Sequence, residues 1–141
     1  MVQRSARLDL EPQAASVSRA RRFVRSVLVE SKLEQLIDVV VLLTSEVATN
    51  AVLHARTPFA VAVAVGADEV LVDVLDGSPV PPRRQVRGPS AATGRGVALV
   101  DRLSDHWGPT PESELRGFIK GVRFGVALDG PVDRDWTEPL H

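Results

Sequence analysis

Cysteine is absent from the 141 residues, and with it go disulfide frameworks, Cys-ligated zinc and thiol nucleophiles. A reducing, cytoplasmic setting is the resulting expectation. Long hydrophobic runs are lacking as well. The longest unbroken stretch of Val, Leu or Ile covers residues 39–43, against the roughly 20 apolar residues of a bilayer-spanning helix. The opening "MVQRSARLDL" has no apolar segment of the signal-peptide kind, so neither export nor membrane anchoring is expected. An excess of one charge is also missing, since 17 Lys and Arg stand against 18 Asp and Glu. Nucleic-acid-binding domains usually carry a basic surplus, and direct nucleic-acid binding is not expected here.

What is present suits one ordinary core. Hydrophobic residues at 44% and charged residues at 25% match globular chains and leave no room for a disordered or fibrous class. A single domain over residues 1–141 is expected, with its core at about 8–128 and residues 129–141 as a poorly ordered tail. The near-neutral balance conceals a split. Arg4, Arg7, Arg19, Arg21, Arg22 and Arg25 crowd the start, and Asp129, Asp133, Asp135 and Glu138 the end. The arginines read as a solvated helix face.

Alternation over residues 6–10 predicts a short strand, broken by Glu11 and Pro12. Apolar spacing at Val17, Ala20, Phe23, Val24, Val27 and Leu28 predicts a helix over residues 14–30. A second helix is predicted over residues 33–55, where length outweighs the β-branched run at 39–43. "FAVAVAV" and "EVLVDVLD", joined by Gly66, Ala67 and Asp68, predict a hairpin. Residues 77–93 have no period that would bury a face and form a long loop of the kind that serves as a lid or binding segment. "GVALVDRLSDHWG" restarts helical spacing, and "GFIKGVRFGVAL" predicts a last strand. The fold class expected is α/β in the α+β sense: a two-layer sandwich, its mixed, mostly antiparallel sheet covered by helices on one face.

Three segments carry polar groups that this architecture does not require. "SEVATNAVLHA", residues 45–55, sets Glu46, Asn50 and His54 four apart, one polar column on an apolar helix. Such a column faces water or closes in a satisfied network, or else it meets a ligand. In that case Glu46 accepts a proton and the Asn50 amide oxygen binds a hard cation such as Mg²⁺, which keeps waters and substrate phosphates in its shell. "VDVLDGSP" runs a strand into Asp76, Gly77 and Ser78. Turn chemistry accounts for that ending; the alternative is an Asp76 carboxylate accepting from an exocyclic amine such as adenine's. "TGRGVALV" opens a helix with Gly94 and Gly96, which lets backbone N–H groups approach phosphate oxygens at a helix N-terminus. The Rossmann fingerprint is excluded because this segment comes after a loop and lacks the third glycine. No G-x-x-x-x-G-K-[ST], H-R-D or D-F-G occurs either.

In this order the three segments resemble the ATP site of the Bergerat fold shared by gyrase, MutL-type ATPases and sensor histidine kinases. "SEVATNAVLHA" resembles the N box, Asp76 with Ser78 the first glycine box, and "TGRGVALV" the second. The small size, "SRARRFVR" and "DRLSDHWG" resemble the stand-alone anti-sigma-factor serine/threonine kinases. The resemblance implies that Glu46 is the general base, Asn50 binds Mg²⁺ and Asp76 reads the adenine amine. It also implies that Ser78 belongs to the nucleotide site and that Gly94, Arg95 and Gly96 line the phosphates beneath a lid at residues 79–93. Lys120 falls where relatives place a polar residue near the nucleotide, and His54 takes a structural part. The partners implied are a sigma factor, which is sequestered, and an anti-anti-sigma protein, which is phosphorylated; a homodimer is implied too. Two departures stand out. Ser78 and Val80 stand where the family pattern D-x-G-x-G has its glycines, and no segment is available for the histidine-bearing dimerisation helices of a sensor kinase. An ATP-binding regulator that transfers nothing is one competing expectation. An interaction domain with a vestigial site, working through its arginine-rich first helix, is the other.

Overall fold

Period-two alternation of valine with alanine or polar residues builds the sheet in the computed structural model, which describes residues 2–80 and 100–129. Strands β1 (Val2–Leu10), β2 (Phe59–Gly66), β3 (Glu69–Asp76), β4 (His106–Pro109) and β5 (Lys120–Ala127) lie in the order β1-β2-β3-β5-β4. Each described pair is antiparallel, so the mixed element of the expected sheet is not seen among these strands. The turn at Ala67 and Asp68 closes the β2–β3 hairpin as the sequence predicts.

Helix α1 (Ala15–Glu30) buries Ser16, Ala20, Val24, Val27 and Leu28, a stripe at the three-to-four spacing of one helical face. Its first turn is held by the Ser16 hydroxyl, which donates to the Glu11 carbonyl at 2.7 Å. A short 3₁₀ turn (Glu34–Leu36) leads into α2 (Ile37–Asn50), and a π turn (Ala51–Ala55) continues it. The helical stretch Glu34–Ala55 is long and apolar enough to cross a bilayer by length and composition alone. Its packing explains that hydropathy differently. Val40, Leu43, Val47 and Ala48 join Leu28 of α1 and Phe59, Val61, Val72 and Phe124 of the sheet in one buried cluster. Each fully buried large side chain there contributes about 1.5–3 kcal/mol of transfer free energy.

Strand alternation fixes which side chains meet the helices. Phe59, Val61, Val63 and Val65 of β2, Val70, Val72 and Val74 of β3, and Phe124 and Val126 of β5 all belong to that cluster. By period two, Asp76 and Lys120 share this helix-bearing face, while Asp73 and Arg123 point to the other. The back face is not bare. Residues 110–119 fold over it: the Thr110 hydroxyl donates to Asp73 at 2.8 Å, Arg123 bonds both Asp73 and Glu114, and the Arg7 guanidinium lies 5.2 Å from the Phe118 ring centre.

Two expectations need correction. Strand β1 begins at Val2, not at residue 6; its polar and basic residues occupy an edge strand, where one side of the ladder faces solvent. The helical spacing expected through Trp107 stops at residue 103. The Ser104 hydroxyl turns back onto the Val100 carbonyl, and His106–Pro109 then pairs with β5 as an edge strand. Trp107 packs against the core from that strand. Pro109 is tolerated because it ends an edge strand. The loop expected at residues 77–93 is irregular over 77–80. Its remainder and the tail from 130 lie outside the described residues.

Candidate functional site

Glu46 and Asn50 stand one turn apart on α2, and both are half-buried. The amide oxygen Oδ1 of Asn50 is buried and accepts no hydrogen bond from the described residues. A buried acceptor without a donor costs about 1–3 kcal/mol, so its survival calls for an explanation. Thr44 carries an unpartnered hydroxyl as well, but at 0% exposure it is walled in by the core. Asn50 sits at the rim of that core, where a ligand can supply what the protein does not.

The column does not continue to His54. Just after Asn50 the backbone widens into the π turn, which closes with Arg56 in the left-handed region at φ 57°. A π turn holds more residues than an α turn and carries the next side chains away from the original face. His54 is exposed as a result. The polar pair facing the site is Glu46 and Asn50, with the irregularity placed directly beside the second of them.

Strand β3 delivers Asp76 to the helix-bearing face at its C-terminal end, 7% exposed. Its Oδ1 accepts from the Ser78 backbone N–H at 2.8 Å and from the Lys120 ammonium at 2.6 Å. Its Oδ2 accepts no hydrogen bond from the described residues. Lys120 is paired directly across from Asp76 in the β3–β5 register, which explains how residues 44 positions apart meet. The turn after Asp76 is tied inward throughout. Gly77 N–H donates to the Thr57 hydroxyl at 2.8 Å and Val80 N–H to the Ser78 hydroxyl at 3.1 Å. Ser78, 6% exposed, therefore shapes the turn that holds Asp76. Thr57, which no sequence spacing singles out, links the end of the π turn to the first glycine box. Gly94, Arg95 and Gly96, and the lid from residue 81 onward, lie outside the described residues.

No cluster of three or more His, Cys, Asp or Glu side chains suited to a metal occurs among the described residues, so no all-protein cage is formed there. One buried amide oxygen is instead the kind of single protein ligand that suits Mg²⁺, which fills its shell with waters and substrate phosphates. On the opposite face, Arg123 grips both oxygens of Asp73 at 2.9 and 3.0 Å. The Asp73 hydrogen bonds, helped by Glu114, hold that guanidinium protonated well above its ordinary range, against the opposing pull of burial.

A helical amide acceptor with no donor among the described residues, a carboxylate at the helix-facing end of a central strand, and a helix-backed antiparallel sheet together suit an α+β domain that binds a ligand. The family model described as the histidine kinase-like ATPase domain matches residues 10–114, and the chain belongs to that family. ATP binding is the activity that membership supports. The matched span includes Glu46, Asn50, Asp76, Ser78, Gly94, Arg95 and Gly96 and ends before Lys120. A search of curated proteins found no match.

Proposed function

We propose that the protein is an ATP-dependent regulatory kinase of the anti-sigma-factor type, which sequesters a sigma factor and phosphorylates a serine or threonine of an anti-anti-sigma protein. The observation that carries the nucleotide part is the buried, donorless Oδ1 of Asn50, one turn beyond Glu46 on the same helix. Asn50 is the residue that would hold Mg²⁺, and the bound ion supplies neutralisation of phosphate charge. Asp76 accepts the adenine amine through its remaining oxygen. Arg95 and the backbone at Gly94 and Gly96 serve the phosphates. Glu46 takes the proton of the partner's hydroxyl as that oxygen bonds to the γ-phosphorus, while the bond from phosphorus to the bridging oxygen breaks and ADP leaves. General-base help of this sort is worth about 10²- to 10⁴-fold. The sigma factor, the anti-anti-sigma protein and the homodimer rest on the resemblance of the motifs alone, and the cytoplasmic setting on the cysteine-free composition.

A second reading, an ATP-binding regulator without transfer, is favoured by one specific feature. The N–H groups of Gly77, Ser78 and Val80 are all consumed within the protein, and Pro79 has none, so the first glycine box offers the nucleotide no backbone donors. Calorimetric titration with ATP, with and without Mg²⁺, tests the common ground. Binding should require Asp76 and lose its Mg²⁺ dependence in Asn50→Ala. Transfer of ³²P to a partner protein then separates the readings. Glu46→Ala should keep ATP binding and lose transfer, and retained transfer would sink the role of Glu46.

A further inference from the structure

We propose that residues 133–136 of this chain seat in the groove between α1 and α2, so that the acidic tail covers the arginine face of its own domain. The inference stands apart from the nucleotide site and holds whether or not ATP is bound. The groove, of about 390 Å³, is lined by Arg21 and Arg25 of α1 and by Asp38, Val41, Leu42 and Ser45 of α2. Arg21, Arg25 and Asp38 are exposed and make no ion pair or hydrogen bond with a described residue. Leu42 is 38% exposed. One wall thus carries two open cations a helical turn apart, and the other an open carboxylate with an uncovered leucine one turn further on.

The sequence beyond the described residues carries the complement. Residues 131–141 read PVDRDWTEPLH. Prolines 131 and 139 bias the residues before them toward extended backbone, and along an extended segment side chains alternate. Asp133 and Asp135 then face one wall, and Arg134 and Trp136 the other. The spacings agree, since residues two apart on a strand are about 6.6 Å apart and residues four apart on a helix about 6 Å along its axis. Asp133 and Asp135 meet Arg25 and Arg21, Arg134 meets Asp38, and the Trp136 ring lies on Leu42.

The point of entry fixes that order. Strand β5 ends where the Leu128 N–H donates to the Asp68 carbonyl at 3.0 Å, in the β2–β3 turn. At the same end of the sheet Arg4, next to the Val65 pairing, bonds Glu30, the last residue of α1, and α2 starts a few residues later. Arg25 and Asp38 therefore form the near end of the groove, and Arg21 and Leu42 the far end. Helix α2 lies against β3 and α1 against β1 and β2. From β5 the path crosses about 10 Å of sheet and rises about 10 Å over the helices, a diagonal of about 14 Å. The five residues after Leu128, ending at Asp133, span about 17 Å when extended. Asp133 reaches Arg25 with little slack. Exposed ion pairs are weak singly, but a short tether holds the segment at an effective concentration in the millimolar range. A seated tail excludes any other acidic segment from this face until it is displaced.

Trp136 is the reporter. Trp107→Phe leaves it the single tryptophan of the full chain, and its quenching by acrylamide is compared with that of a synthetic peptide of residues 129–141, with thermal melts to confirm folding. The same comparison on the unaltered chain, with Trp136→Phe subtracting the Trp107 signal, needs no change in the fold. Quenching in the full chain should be slower by at least about threefold, the factor for a segment seated most of the time. Arg21→Glu with Arg25→Glu should bring it close to the peptide's value. So should Asp133→Asn with Asp135→Asn, which leaves the helices untouched. Adding Asp133→Lys and Asp135→Lys to the Arg21→Glu, Arg25→Glu chain should restore protection by reversing both rows of charge. Quenching in the full chain equal to that of the peptide overturns the inference. So does protection that survives both sets of charge changes, which would seat Trp136 elsewhere. Protection that grows with protein concentration gives the groove to the tail of a second copy and overturns the intramolecular seat.

Discussion

Two carboxylate–cation pairs bridge the same strands, β3 and β5, three residues apart and on opposite faces of the sheet. On the back face, Asp73 is saturated. Arg123 takes both of its oxygens, the Thr110 hydroxyl adds a third bond, and Glu114 accepts from Nη2 of the same guanidinium. On the helix-bearing face, Asp76 keeps one oxygen without a donor from the described residues, and Lys120 keeps N–H groups unassigned. Residue chemistry alone does not separate the two pairs, since each is an Asp opposite a basic residue. What differs is completeness. A buried carboxylate whose two oxygens are both taken within the protein holds structure together, and one with an oxygen left over is shaped for something else.

The saturated pair should be the costly one to break. Arg123→Met leaves the Asp73 carboxylate buried with only the Thr110 hydroxyl, and chemical denaturation should show a loss of about 3 kcal/mol, the range for orphaning one partner of a buried ion pair. A shift below about 1 kcal/mol would place this pair with ordinary surface bridges and erase the contrast. Next in size is Gly121→Ala, which tests the cover over the same face. A methyl group there would come within 2.5 Å of Leu75 Cδ2 and 2.6 Å of Thr110 Oγ1, contacts that force the cover away from the sheet. Overpacking of this kind costs about 1–3 kcal/mol, and the same unfolding curves read it. ATP affinity of the folded protein should be untouched, because the helix-bearing face is not altered.

Much of this architecture is legible in the sequence, for identifiable reasons. The hairpin of β2 and β3 and the helix α1 announce themselves by periods of two and near 3.6, which survive because a whole face of each is buried. Glu46, Asn50 and Asp76 stand out as polar residues in strongly apolar elements. Strand β4 is hidden, since four residues on a sheet edge leave too short a pattern and Trp107 satisfies a helical spacing by coincidence. The π turn is hidden for a different reason: it is a shift in backbone hydrogen bonding with no side-chain signature, so the sequence can only show His54 in line with Asn50. Alternation does place Asp73 opposite to Asp76, a signal that is available. Its meeting with Arg123 and Thr110, 50 and 37 positions away, depends on register and on the path of residues 110–119, which no local pattern records.

The incomplete pair should respond to substitution in the opposite sense, with a small effect on folding and a large one on ligand. In Asp76→Asn an amide oxygen still accepts from Ser78 N–H and from Lys120, and the lysine's flexible stem lets its charge turn toward water. Stability should change by less than about 1 kcal/mol, while titration with Mg-ATP should lose at least about tenfold in affinity. If the stability loss instead rivalled that of Arg123→Met, the two pairs would be structural equivalents and the inference from completeness would fail.

The smallest effect belongs to the far end of the back-face cover, where Arg7 of β1 lies over the Phe118 ring while its Nε bonds Asp9 at 2.9 Å. Both partners of that ion pair are well exposed, so water competes for the charge, and the stacking contact is what is left to measure. Arg7→Ala should cost about 0.5 kcal/mol, the value of an exposed cation–π contact. Combining it with Arg123→Met makes the measurement informative. If residues 110–119 are held at two independent points, the two losses add. If freeing the Arg123 end already lifts the cover, Phe118 moves with it and Arg7→Ala costs nothing further, which would show the segment to be one cooperative flap hinged on the saturated pair.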